Sequence, residues 1–89
     1  MLIAVYSNRF KKDIKRQNKR GKDPKKIKEI ISLLIAGKKL AEKNKDHSLS
    51  GNYADCRECH VDPDWLLIYS IEGNKIYFFR TGTHSDLFQ

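Results

Sequence analysis

Long hydrophobic runs are what this sequence most plainly lacks. The longest apolar stretches of its 89 residues fall far short of the ~20 that a membrane-spanning helix needs, so a protein of that type is excluded and no membrane partner is expected. The first residues, MLIAVYSNRF, have no basic leader before their apolar run and no small-residue cleavage site. That predicts a first strand in place of a secretion signal, and a cytoplasmic, reducing setting. Pro-rich or Ser-rich linkers and internal repeats are missing too. The length supports one modest core, so a single domain over residues 1–89 is expected. Methionine occurs once, at position 1, which leaves no internal thioether as an axial haem ligand.

Acidic residues are scarce in one half only. Residues 1–45 hold 15 Lys and Arg against 4 Asp and Glu, and residues 46–89 hold 3 against 7, within a net charge of +7. A basic half of this kind concentrates positive potential where phosphate backbones release counterions, so nucleic acid is the natural partner class. A solvated, lysine-rich helical face accounts for the same residues in purely structural terms, and charge alone does not choose.

Residues 2–6 form a continuous apolar run, the pattern of a strand covered on both faces. Ser7 is placed to cap a helix running to about Gly21, with Phe10 and Ile14 as its apolar contacts and Lys12, Lys15, Arg16 and Lys19 on its outer side. Asp23-Pro24 reads as a cap followed by a first-turn proline. Ile27, Ile30, Ile31, Leu34 and Ile35 then keep the spacing of a core-facing helix, which Gly37 ends. Past the loop at 46–51, strands are predicted at 53–61, 65–71 and 75–81, the last two joined by the hairpin signal Gly73-Asn74. The predicted order is β-α-α-β-β-β, an α+β fold.

The two cysteines fall in CRECH at 56–60, the C-x-x-C-H pattern that attaches haem. On a strand, residues three apart point to opposite faces with Cα atoms ~10 Å apart. A disulfide needs about 7 Å or less, and the same separation keeps both thiols from one metal or one haem. Free thiols, no metal site and no cofactor are expected. Alternation also groups Cys56, Glu58 and His60 on one face and Arg57 and Cys59 on the other, just ahead of VDPDW, where Pro63 interrupts the ladder.

DHSLSG at 46–51, RECHVDPDWLLIY at 57–69 and RTGTHSDLF at 80–88 resemble, in order, spacing and residue type, the three motif blocks of the YafQ branch of the RelE/ParE toxin superfamily. The N-terminal half is similar in layout only. The resemblance implies the toxin of a type II toxin-antitoxin system, a ribosome-dependent mRNA endoribonuclease that inhibits translation. It implies a RelE-like, microbial-ribonuclease-like fold, a small antiparallel twisted sheet with the two N-terminal helices packed on it. It also implies the ribosome, mRNA and a cognate ribbon-helix-helix antitoxin as partners, in an assembly of two toxins and two antitoxins. The cysteines lie outside the family pattern, which asks this strand for Arg57, an acid at 58 and His60.

Metal-free RNA cleavage through the 2′-OH needs a base, cations on the phosphate and an acid for the departing 5′-oxygen. Histidine serves either proton step, each worth roughly 10²- to 10⁴-fold. All three histidines sit in the motif blocks. The resemblance makes His84 the candidate acid, His60 and His47 the candidates for the base side with Asp64 as orienting carboxylate or partner base, and Arg80 the cation on the phosphate. Phe88 and Trp65 are candidates for stacking on an unpaired base, and Lys12, Lys15, Arg16, Lys19 and Arg57 for the RNA backbone. Structural roles compete for the same side chains. Trp65 opens the apolar run WLLIY and suits a core; Asp64 suits the turn after Pro63; Arg80 suits a pair with Glu58. Asp46 and Gly51 suit a loop that sets His47. At the end of the chain, either Leu87 and Phe88 both plug the core, or Leu87 anchors a helical turn that leaves Phe88 beside His84. A non-catalytic, ParE-like interaction toxin and a basic RNA-binding module are the alternative functions. The ParE type is not expected to carry His47, His60, Asp64, His84 and Phe88 together.

Overall fold

The computed structural model describes residues 1–88, the side chain of Asn52 aside. Its elements are β1 (Ile3–Tyr6), α1 (Asn8–Lys19), α2 (Pro24–Ile35), β2 (His47–Ser48), β3 (Arg57–Asp62), β4 (Trp65–Glu72), β5 (Lys75–Gly82) and α3 (His84–Leu87), with short 3-10 turns at Glu42–Asn44 and Gly51–Tyr53. The fold is α+β in the predicted order, and the sheet runs β1-β5-β4-β3-β2. β2 to β5 pair antiparallel, whereas β1 lies parallel to β5, so the sheet is mixed.

Local chemistry sets the element ends. The Ser7 hydroxyl accepts from the Phe10 N–H at 2.9 Å and donates to the Phe79 carbonyl at 2.9 Å, so one residue both caps α1 and fixes it to β5. Asp23 caps α2 through the Lys25 N–H at 3.0 Å, and Pro24 fills its first turn. Gly73 takes φ +61° in the hairpin that brings Glu72 opposite Lys75.

Both helices cover one face of the sheet. Phe10, Ile27, Ile30 and Leu34 pack there on Cys59, Trp65, Leu67, Tyr69, Ile76 and Phe78. The opposite face holds a smaller cluster, Leu66, Ile68 and Leu87 with Leu49, Tyr53, Cys56 and Phe79, and leaves the rest of that face for polar side chains.

Three local expectations are corrected. β1 is covered on one face only: Leu2 and Ala4 join the core while Ile3, Val5 and Tyr6 are exposed. The reason is that α1 and α2 cover only the face carrying Leu2 and Ala4, and the cluster on the other face includes no residue of β1. The strand expected from residue 53 starts at Arg57, because Gly51–Tyr53 makes a 3-10 turn and Asp55 enters the left-handed region at φ +72°. His47–Ser48, expected as loop, adds a short edge strand to β3.

The cysteines lie on opposite faces, as strand alternation requires. Cys59 is fully buried under the helices, and burial pushes its thiol up to about 12. Cys56 sits half-buried against the other cluster. Thermal unfolding is expected to separate them: Cys59→Ser should lose ~1–3 kcal/mol by placing a hydroxyl in an apolar site, and Cys56→Ser about 0.5 kcal/mol or less. Equal losses at both positions would contradict the assignment of faces.

Candidate active site

The site is built where β5 ends. Thr83 caps α3: its hydroxyl accepts from the Asp86 N–H at 3.1 Å, and the Asp86 carboxylate accepts from the Thr83 N–H at 3.0 Å. A carboxylate this close needs a glycine before it, since a Cβ on Gly82 would stand 2.8 Å from Asp86 Oδ2. Asp86 also binds α1. Arg20 donates to both its oxygens at 2.7 and 3.1 Å and the Gln17 amide donates at 3.1 Å, with Arg16 at 3.4 Å. The Arg20 hydrogen bonds, opposed by burial and aided by the Thr83 and Gln17 donors, hold the Asp86 carboxyl well below the usual carboxylate range. A four-residue helix at a chain end would otherwise fray.

α3 presents His84. Its ring Nδ1 lies 2.6 Å from Asp64 Oδ1, and its backbone N–H donates to the same oxygen at 3.0 Å. Those bonds, the backbone one first, lower the Asp64 carboxyl. Asp64 is expected on the base side with His60 or His47; its hydrogen bonds go to His84 instead, because the turn after Pro63 ends beside the start of α3. His60 stands edge-on to His84 with ring centroids 5.9 Å apart. Its Nδ1 makes only a long contact, 3.3 Å, to the Pro63 carbonyl, while the buried Asn44 amide holds its backbone carbonyl at 2.8 Å. A depression of about 280 Å³ opens beside it, lined in part by Lys43, Lys45 and Asp62.

His47 lies apart from that pair. It is opposite Glu58 in the β2–β3 register, with Nε2 at 3.1 Å from Glu58 Oε2 and Nδ1 at 2.6 Å from the Lys45 carbonyl. Its segment is pinned by Asp46, which accepts from Tyr69 Oη at 2.7 Å and Arg57 Nε at 3.2 Å.

Arg80 does not pair with Glu58. It reaches Asp13 of α1, donating from Nε at 2.7 Å and Nη2 at 3.3 Å, while the Thr81 N–H donates to Asp13 at 3.2 Å. The Asp13 hydrogen bonds raise Arg80 above its ordinary value, with the Tyr53 hydroxyl adding to them. Phe88 is 46% exposed and meets Tyr53 edge-on at 5.8 Å, whereas Leu87 is buried. Of the two arrangements open for the tail, the structure has the one that leaves Phe88 outside the core.

Trp65 is corrected. It is 1% exposed, donates from Nε1 to Thr81 Oγ1 at 2.9 Å and belongs to the main core, so no nucleobase reaches it. Among the cationic candidates, Lys12, Lys15 and Lys19 are exposed, while Arg16 leans on Asp86 and Arg57 is held by Asp46 and the Ser48 hydroxyl. Sequence reasoning missed Asp13, Gln17, Arg20, Tyr53 and Asp86, and offered Glu58 as a partner for Arg80 where the structure sets it against His47. Thr83-His-Ser-Asp86 carried a readable capping-box spacing. The others carried no local signal.

The chain matches, over residues 3–89, the family described as bacterial toxin of type II toxin-antitoxin system, YafQ. It is 44% identical over 84 residues to the mRNA interferase toxin YafQ of Escherichia coli K12, covering 93% of this chain and 91% of that one. The toxin in the E. coli DinJ-YafQ complex superposes with TM-score 0.93 at 41% identity, all of both chains covered. A metal-bound toxin from Helicobacter pylori gives TM-score 0.92 at 42% identity over 99% of this chain and all of that one. Among the described residues here, no three His, Cys, Asp or Glu side chains gather as a metal site.

The Asp86 clamp has a signed pH dependence. Its carboxyl lies lower in the folded chain than in the unfolded one, so its stabilisation is present above the unfolded value, about 3.9, and is lost as pH falls below it. Asp86→Asn should therefore melt below the parent at neutral pH, with the gap closing as the pH drops through about 4. A gap that stays constant with pH, read by thermal unfolding, would remove the ionised clamp.

Proposed function

Because the chain belongs to the YafQ family of type II toxins, we propose that it is an mRNA interferase, an endoribonuclease that cuts message on the ribosome without a metal and so arrests translation. The observation that carries this reading is the grouping of His84, His60, Arg80 and Phe88 beside the end of β5. In the proposed reaction the 2′-oxygen forms a bond to the adjacent phosphorus and the bond to the 5′-oxygen breaks. A cyclic phosphate and a free 5′-hydroxyl result. The 2′-OH proton passes to a histidine on the base side, drawn from His60 and His47.

His84 supplies the proton to the 5′-oxygen. With Nδ1 engaged by Asp64, Nε2 is the nitrogen left to donate, and the carboxylate stabilises the charge the ring carries until it does. Arg80, fixed along one edge by Asp13, stabilises the charge that gathers on the phosphate. Phe88 offers its face to an unpaired base, and Lys12, Lys15 and Lys19 contribute a positive field for the RNA backbone.

The antitoxin expected for this toxin is of ribbon-helix-helix type, two copies binding two toxins in the cytoplasm. The support is the DinJ-YafQ complex of the E. coli relative, the basic first half of the chain, and a groove of about 590 Å³ between α1 and α2 lined by Phe10, Ile14, Ile27, Ile31 and Ile35 among others. No helix among the described residues is long and apolar enough to cross a membrane. A non-catalytic toxin or a plain RNA-binding module accounts less well for the His60–His84 pair, a third histidine held by Glu58 and an arginine fixed by Asp13.

Primer extension on translated message tests the reading, since only a nuclease makes new ends. Phe88→Ala should melt close to the parent, because the ring is half-exposed, and cleave at least about tenfold more slowly in single turnover, in line with ~1–3 kcal/mol of base stacking. A large fall in melting temperature with a proportionate loss of rate would return Phe88 to the core. Toxin stripped with EDTA and then assayed on magnesium-supplied ribosomes should keep its full rate. A loss that zinc or manganese restores would overturn the metal-free mechanism.

A further inference from the structure

Glu58 is the one buried carboxylate on the site face that the mechanism leaves unused. Its side chain is 7% exposed, Oε2 meets His47 Nε2 at 3.1 Å, and Oε1 has no partner among the described residues. At the other side of the ring, His47 Nδ1 lies 2.6 Å from the Lys45 carbonyl. A carbonyl has no hydrogen to give, so Nδ1 carries one. The Nε2–Oε2 contact needs a second hydrogen, or two lone pairs would face each other. His47 therefore presents no bare nitrogen to a 2′-OH.

We propose that Glu58 is a positioning residue that holds His47 as a fixed imidazolium, a cation for the phosphate, and that His60 takes the 2′-OH proton. The register supports this division. Glu58 and His47 are directly paired across β3 and β2, and His60 follows two residues on along the same face of β3 with one ring nitrogen unoccupied. The other charged groups around His47 are already engaged or carry the wrong sign to hold its second proton. Asp46 is bound by Tyr69 and Arg57; Lys45 is a cation; Arg80, in the row that joins Glu58 to Ile68, is held by Asp13. Glu58 is the anion left for the ring.

The proposal rests on the endoribonuclease reading for its kinetic part only. Nitrogen-15 NMR of the His47 ring in the free toxin needs no cleavage, and should show hydrogens on both nitrogens at neutral pH. In Glu58→Gln the amide can donate to Nε2, so the contact survives while the ring keeps one hydrogen. That variant should cut at least about tenfold more slowly at neutral pH and recover on acidification, its alkaline limb displaced to lower pH. If Glu58→Gln is poorly folded, His47→Arg and His47→Gln replace it. Arginine should keep most of the rate and glutamine should lose it. A bare nitrogen on His47 in the parent, a displaced acidic limb in Glu58→Gln, or equal loss in both His47 variants would each overturn the assignment. A parent with the doubly protonated ring and no nuclease activity would instead sink the proposed function and leave the pair standing.

Discussion

One buried carboxylate closes the sheet where its edge strand gives out. β1 stops at Tyr6, opposite Phe78, but β5 runs on to Gly82, so the last residues of β5 are paired with β4 on one side and have no strand on the other. Asp13 of α1 takes that place, accepting the Thr81 N–H and two guanidinium donors of Arg80. Losing it would strand a buried N–H and a largely buried cation together, a break of the kind that costs ~3–5 kcal/mol. The residues that build and clamp α3 lie just beyond this point in the chain. Thr81 carries the hydrogen bonds to Trp65 and to the Leu66 carbonyl, Gly82 clears room for Asp86, and α3 starts two residues later. Asp86 then returns to α1 at Gln17 and Arg20. A helix that looks from its composition like a solvated basic rod thus holds the end of β5 and α3 at two turns.

This explains what could be read from the sequence and what could not. α2 was legible because five isoleucines and leucines repeat at helical spacing and an Asp-Pro cap precedes them, and the β4–β5 hairpin because Gly73-Asn74 separates two alternating runs. His60 and Cys59 were placed on their faces by alternation alone. Asp13 and Gln17 were not legible. A polar residue among lysines has nothing local to mark it as buried, and its partners come from the far end of the chain. β1 was misread for a related reason, since an apolar run does not reveal whether anything will pack on both faces of the strand. Asp64 was grouped with the base-side histidines because sequence order places it near His60, while the fold brings its carboxylate into hydrogen bonds with His84.

Neutralisation runs through the site as a pattern. Arg20 and Arg16 face Asp86, Arg57 faces Asp46, and Arg80 faces Asp13. Each arginine is thereby fixed in direction, and each loses part of its long-range field. The lysines of α1 have no such partners among the described residues and remain exposed. Attraction and positioning are then divided between two residue types: mobile, hydrated ammonium groups supply a field that salt screens, and tethered guanidinium groups supply geometry that salt barely touches.

The two histidine–carboxylate pairs differ in the same way. Asp64 and His84 are both more than half exposed, at 63% and 56% of their side chains, whereas Glu58 is 7% exposed beneath His47. An exposed pair can exchange its proton with whatever docks against it, and Nε2 of His84 has no hydrogen-bond partner among the described residues. A buried carboxylate has little water to stabilise it and keeps the proton shared with its partner. Burial of the carboxylate alone thus separates two histidine–carboxylate pairs, one open to solvent and one shielded from it.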